Sequence, residues 1–132
     1  MAGNNEIISQ LEMEKAKENL EEARILFEAG KCLGAANRSY YAAFHAMSAL
    51  LIFDGVSMRK HSGVISKFRE LYIKTGIFDV SMSEQISLLF NLRTECDYDS
   101  FYVVARSDVE EQIENADIII AAVEKRLSDI TR

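Results

Sequence analysis

The last quarter of the chain carries an apolar repeat that leaves few alternatives to a long helix. Its apolar residues recur at alternating steps of four and three positions. This spacing places them on one side of a helix, as in the seam of a coiled coil. Ile118, Ile119 and Ala122 widen the stripe, which is typical of a helix in the core of a bundle or at a dimer contact. The seam consists of Val109, Ile113, Ala116, Ile120, Val123, Leu127 and Ile130.

The rest of the chain also predicts helices. No proline interrupts its 132 residues, and apolar residues recur at helical spacing in four earlier segments. We therefore expect an all-α, up-and-down bundle of four or five helices, forming a single domain over residues 1–132. The predicted helices start near Asn4 or Asn5, Leu33, Lys60 or His61, and at the capping boxes Ser81–Glu84 and Ser107–Glu110, with stops at Gly30, Asp54–Gly55 and Gly76.

Composition excludes several classes of protein. The net charge is −6, so bulk electrostatics do not predict a nucleic-acid binder, although residues 30–80 carry seven Lys/Arg against three Asp/Glu. Cys32 and Cys96 have no metal-ligand spacing, and we expect neither a metal nor a cofactor. No signal peptide precedes the first helix, and no apolar run is long enough to cross a membrane. We expect a cytoplasmic protein.

The second helix, α2, which we predict from about Leu33 to Phe53, carries polar groups that a core helix does not need. One stripe is apolar and contains Tyr40, Phe44 and Met47. A second stripe carries Arg38, Tyr41 and His45, which we call the α2 polar row. Arg38 and His45 are seven residues apart and therefore about 10 Å apart along the helix axis. Two interpretations stay open: a binding site, or ion pairs with acidic residues of neighbouring helices with Tyr41 as packing.

Further polar residues occur at the ends of two other helices. Lys60 and His61 fall in the first turn of the third helix, where positive charge is unfavourable. An anion bound at this helix end would explain why basic residues lie there. Arg93 and Asp97 are four apart on the fourth helix and can pair, and Tyr98 follows. Histidine titrates near neutral pH and arginine binds phosphate. Such a set could hold a nucleotide, or could cleave RNA without a metal through the 2′-hydroxyl.

Several of these segments together resemble the small stand-alone HEPN-domain proteins. The similar segments are Asn37–His45, Lys60–Gly63, Lys74–Gly76 and Leu92–Arg93 leading to Asp97–Tyr98. They cover nearly the whole chain in the order and separation typical of the family. The resemblance implies a helical bundle that dimerises and is encoded beside a minimal nucleotidyltransferase as a toxin–antitoxin pair.

The resemblance also implies a catalytic activity. Several HEPN branches are metal-independent endoribonucleases that use an arginine and a histidine a few residues apart. Arg38 and His45 have six residues between them, but in those branches the motif lies on a later helix. At that place this chain has Arg93, Asp97 and Tyr98, and no histidine.

Three hypotheses follow. The first is a nucleotide- or RNA-binding module that works with a nucleotidyltransferase, in which Arg38 and Arg93 hold phosphate. In this module Tyr41 and His45 orient the bound ligand or change their protonation state, and Asp97 positions Arg93. The second is an endoribonuclease toxin with His45 as general base and Arg38 as transition-state stabiliser. The third is a structural adaptor bundle whose polar residues form buried ion pairs.

Overall fold

The computed structural model describes residues 3–98 and 105–131, and every regular element in these ranges is a helix. The side chains of residues 95–98 lie outside the described set, as do residues 99–104, which we expected to form a loop and a short extended piece. The predicted all-α, up-and-down bundle is confirmed. The helices are α1 (Asn4–Glu28), α2 (Cys32–Phe53), α3 (His61–Phe68), α4 (Ser81–Tyr98) and α5 (Arg106–Ile130).

The helix ends follow the predicted stops more closely than the predicted caps. Gly30, Gly55 and Gly76 have φ angles of 76°, 81° and 81°, a conformation that favours glycine and ends a helix. The predicted caps were wrong in detail. The N-caps of α1 and α5 are Gly3 and Ala105, neither with a side-chain cap. At α4 the Asp79 carboxylate accepts the backbone N–H of Ser81 at 3.0 Å.

Helix α3 continues into a short π-helical turn, Arg69–Ile73, which we call the π-segment. The sequence predicted one uninterrupted α-helix up to Gly76. The wider turn still buries Tyr72 and Ile73, and the Tyr72 hydroxyl donates to the Asp54 carboxylate at the end of α2, at 2.5 Å. A π-turn inside a helix changes the direction of the side chains around it.

Helix α2 lies at the centre of the bundle because much of its circumference is small or apolar. It packs against α1, α3, α4 and α5. Six of its alanines are buried, which lets neighbouring helices approach closely. Two buried hydroxyls of the core are satisfied: the Ser9 hydroxyl donates to the Ala49 carbonyl at 2.7 Å, and the Ser39 hydroxyl donates to the Ala35 carbonyl at 2.8 Å.

The predicted apolar stripe of α5 was correct except for Ile118, which is exposed. The stripes that helical spacing predicts for α1, with Ile8 and Leu11, and for α2, with Leu33, were partly wrong. Along the α5 seam the residues from Val109 to Val123 are buried, whereas Leu127 and Ile130 are half-buried. Ile8 and Leu11 of α1, and Leu33 of α2, are exposed. The buried face of α1 instead begins with small and medium-sized residues, which a search for large apolar side chains overlooks. This face consists of Ser9, Met13, Ala16, Leu20, Ala23 and Phe27.

The close packing of α2 predicts a steric penalty for enlarging one of its alanines. Ala46 is fully buried, so Ala46→Leu should lower the free energy of unfolding by about 1–3 kcal/mol. Urea titration followed by circular dichroism measures this change. Ala121→Leu on the exposed side of α5 adds the same atoms without overpacking and should have little effect. Equal stability of the two variants would contradict the proposed close packing.

Candidate functional site

Arg38 and His45, the two outer members of the α2 polar row, both contact α1. The imidazole Nδ1 of His45 lies 2.6 Å from the Glu12 carboxylate, and these side chains are 22% and 18% exposed. The guanidinium of Arg38 lies 3.3 Å from the Glu22 carboxylate and also 3.3 Å from the Asn19 side-chain oxygen. The Arg38–Glu22 pair is more open, at 45% and 41% exposure.

These contacts correspond to the ion-pair interpretation of the α2 polar row. The pairs differ in strength, since an exposed ion pair contributes about 1 kcal/mol or less. The half-buried His45–Glu12 pair is less screened by water. The structure therefore gives His45 a fixed carboxylate partner and gives Arg38 an exchangeable one.

Tyr41, the middle member of the row, contacts α4 instead. A guanidinium nitrogen of Arg93 donates to the Tyr41 hydroxyl at 3.2 Å. The same guanidinium lies 5.1 Å from the ring centre of Tyr40 and 5.5 Å from that of Tyr41. Both distances are within the range of cation–π attraction. Arg93 of α4 thus contacts the α2 polar row at Tyr41.

His61 completes this group from the start of α3. Its ring lies 4.0 Å from the ring of Phe44 and 5.7 Å from that of Tyr41. Its Nδ1 lies 3.2 Å from the Tyr40 hydroxyl. Lys60 is the N-cap residue of α3 and is exposed. We call Tyr40, Tyr41, His61 and Arg93 the tyrosine–arginine cluster.

Protonation states within the cluster follow from burial. Burial raises the pKa of Tyr40 to about 12, although the nearby Arg93 charge partly offsets this effect. Burial lowers the pKa of His61 below its ordinary value of 6.5, and the positive charges of Arg93 and His45 lower it further. At neutral pH the Tyr40 hydroxyl is therefore protonated and the His61 ring is neutral. Which of the two groups donates the hydrogen bond between the Tyr40 hydroxyl and Nδ1 depends on the tautomer of the ring.

The structure brings together four of the eight predicted site residues. Tyr41, His61 and Arg93 are in contact, His45 lies 6.5 Å from Tyr41 between ring centres, and Arg38 lies further along the row. Asp97 and Tyr98 have side chains outside the described set, so the predicted Arg93–Asp97 pair stays a prediction. In the part of the chain that the structure describes, no three His, Cys, Asp or Glu side chains form a metal-binding group.

Sequence reasoning overlooked three residues of the site. Tyr40 and Phe44 were assigned to the core stripe, but Tyr40 also binds His61 and Phe44 packs on it. Glu12 was not singled out from the sequence at all. A usable signal existed: Glu12 and Asn19 are seven residues apart on α1, as are Arg38 and His45 on α2. Two antiparallel helices pair such residues when the register matches.

Comparison with known proteins identifies the family. The family model for the HEPN domain matches residues 9–126. The chain belongs to the HEPN family. It is 33% identical over 118 residues to a UPF0332 protein of Thermotoga maritima, covering 89% of both chains. It is also 33% identical over 118 residues to a protein of Methanocaldococcus jannaschii named "Putative toxin MJ0605", covering 89% of this chain and 87% of that one.

A solved structure has the same fold as this HEPN domain. The crystal structure of TT1696 from Thermus thermophilus superposes with a TM-score of 0.76 at 21% identity. The match covers 89% of this chain and 96% of that chain. Within the described ranges, none of the helices has the length and apolarity needed to cross a lipid bilayer.

The tyrosine–arginine cluster predicts a pH-dependent loss of stability. Because the pKa of His61 is lower in the folded state, the unfolded chain takes up more protons below about pH 6.5, and the free energy of unfolding falls with pH. His61→Gln cannot titrate but can still form a hydrogen bond with Tyr40. Its loss of stability between about pH 7 and pH 5.5 should therefore be smaller than that of the wild type.

Urea titrations at the two pH values measure this difference. Lys60→Gln, one residue earlier and exposed, is the matched control and should keep the wild-type dependence. The assignment of a neutral His61 is wrong if His61→Gln loses as much stability as the wild type.

Proposed function

We propose that this HEPN domain binds single-stranded RNA or a nucleotide at the α2 polar row and the tyrosine–arginine cluster. The observation that supports this most is the position of Arg93, which adds a second guanidinium beside Tyr41 in a row that Arg38 begins. A nucleotide offers phosphates for guanidinium groups and flat bases for aromatic rings. Tyr41 is half-buried and therefore partly accessible.

The contacts of Arg38 with α1 are compatible with this function. The Arg38–Glu22 pair is exposed on both sides and so contributes little to folding. A phosphate can take the place of the Glu22 carboxylate at small cost. The Arg38 guanidinium is thus held near the row in the free protein and becomes available when an anion arrives.

We further propose that the protein acts in a toxin–antitoxin system with a nucleotidyltransferase partner, and that it forms a homodimer. Relatives that carry the word toxin in their names support the first statement. Three exposed apolar side chains near the start of α1 support the second, because such groups are commonly covered by a partner. They are Ile7, Ile8 and Leu11.

A specific contact favours a second function, that of a metal-independent endoribonuclease. Glu12 binds the Nδ1 of His45 at 2.6 Å. When the ring is neutral, a carboxylate at this position favours the tautomer with the proton on Nδ1, which leaves Nε2 as a proton acceptor. This is the state that a general base needs to deprotonate a 2′-hydroxyl. Arg38 would stabilise the negative charge of the transition state.

The adaptor hypothesis predicts neither binding nor cleavage. As derived from the sequence, it required that removal of Arg38 leave a buried, unpaired carboxylate. Glu22 is 41% exposed, so we expect a change of about 1 kcal/mol or less in the free energy of unfolding. An adaptor is therefore distinguished by the absence of RNA binding rather than by a stability loss.

The binding hypothesis predicts that Arg38→Ala weakens RNA binding about tenfold, the usual effect of losing one charge-assisted hydrogen bond. Fluorescence anisotropy with a labelled single-stranded RNA measures the dissociation constant. Arg24→Ala is a matched control: Arg24 is also exposed, at 52%, and is also paired with one carboxylate, that of Asp117 at 3.2 Å.

Arg24→Ala should therefore bind RNA almost as the wild type does. Equal weakening by the two variants would show a general effect of net charge rather than a site. Absence of RNA and nucleotide binding by the wild type would remove the proposal and leave the adaptor.

The nuclease hypothesis predicts that the purified protein cleaves single-stranded RNA in the presence of EDTA. His45→Ala should abolish cleavage and Glu12→Gln should reduce it, because the amide no longer fixes the imidazole. Gel electrophoresis of end-labelled RNA measures the rate. Glu14→Gln, an exposed carboxylate two residues along α1, should leave it unchanged. Undiminished cleavage by His45→Ala would exclude His45 as the general base.

A further inference from the structure

A concave surface lies between α3, the π-segment and α4. This π-segment groove has a volume of about 590 Å³, which is within the range of sites for small molecules. Its floor is apolar and consists of Ile65, Ile86 and Phe90. Its polar side includes Arg69, Lys74 and Ser87. None of the residues of the α2 polar row lines it.

Arg69 is held rigidly at this groove. Its Nε donates to the Ser83 hydroxyl at 3.0 Å, and its Nη2 donates to the Ser83 carbonyl at 2.9 Å and to the Ser87 hydroxyl at 2.5 Å. These bonds fix the guanidinium plane through two of its three nitrogens. Arg69 is also the first residue of the π-segment, and π-turns occur frequently at functional sites.

The charge balance of the groove favours an anion. Glu70 also lines the groove, but Lys67 binds its carboxylate at 3.0 Å. Its charge is therefore offset by a cation that belongs to the same turn of helix. Arg69 and Lys74 remain as the positive charges facing the cavity, in a chain whose net charge is −6. Lys74 is exposed at the end of the π-segment, where its long side chain can adjust to the position of a bound anion.

The floor favours a ligand that also has a flat apolar part. Ile65 and Ile86 are buried below it, whereas the Phe90 ring is half-buried and keeps an accessible surface. The other edge of Phe90 packs against Tyr40, with 6.1 Å between ring centres. This contact fixes the ring orientation. A fixed aromatic ring that lines the same groove as two cations matches a planar ring joined to a phosphate.

We propose that the π-segment groove is a separate binding site for a nucleoside monophosphate. The phosphate binds Arg69 and Lys74, and the base packs on Phe90. This goes beyond the proposed function, because the residues that carry it differ from those that carry RNA binding. The compact volume favours a single nucleotide over an extended chain.

Isothermal titration calorimetry of the full chain with AMP, GMP, CMP and UMP tests this inference. Because Arg69 also ties the π-segment to α4, the informative variant is Lys74→Glu at an exposed position. It should weaken binding of the best of these ligands at least about tenfold. Lys31→Glu, an exposed lysine before α2 and outside the groove, is the control with the same charge change and should bind normally.

Phe90→Leu and two ligand fragments test the role of the floor. The variant should bind the nucleotide more weakly but bind inorganic phosphate as the wild type does. With the wild-type protein, adenosine alone should bind more weakly than AMP. The proposal is overturned if none of the four nucleotides binds, if Lys74→Glu and Lys31→Glu are equally affected, or if phosphate alone binds as tightly as AMP. Normal nucleotide binding in Arg38→Ala separates this site from the α2 polar row.

Discussion

Helices α1 and α2 pack against each other through small side chains, and the polar contacts at their edge depend on this close approach. Ala16 and Ala23 of α1 are fully buried, and Ser9 of α1 donates to a backbone carbonyl of α2. With the backbones this close, short side chains can bridge the two helices. The Glu12–His45 and Arg38–Asn19 contacts are of this kind. Seven residues forward along α1 correspond to seven residues back along α2, as antiparallel packing requires.

The fold was largely predictable because the sequence contains few signals other than helical ones. Helical periodicity and glycine stops located the helices, and neither depends on tertiary contacts. The errors occurred where tertiary packing decides. Ile8 and Leu11 are large and apolar but exposed, while Ser9 and Ala16 are small and buried. A buried helix face is chosen by close fit as well as by hydrophobicity, and only the neighbouring helix shows which side fits.

The candidate site was predictable along one helix and not between helices. Spacing alone placed Arg38, Tyr41 and His45 on one side of α2. It could not show that Arg93 binds Tyr41, or that Tyr40 reaches His61 across the bundle. Such contacts depend on the register of helices that are far apart in sequence. Tyr40 illustrates the difficulty, because its ring is a core residue and its hydroxyl belongs to the site.

The two ion pairs of the α2 polar row have different consequences for any ligand. Arg38 and Glu22 are both well exposed, so water already screens their attraction and a phosphate competes with a weak partner. His45 and Glu12 are more enclosed, and separating them would leave a carboxylate partly desolvated. In the proposed site, His45 would therefore meet a ligand together with Glu12, as one unit with a fixed ring. Arg38 is the adaptable member of the row, whereas His45 is the member whose orientation is set before a ligand binds.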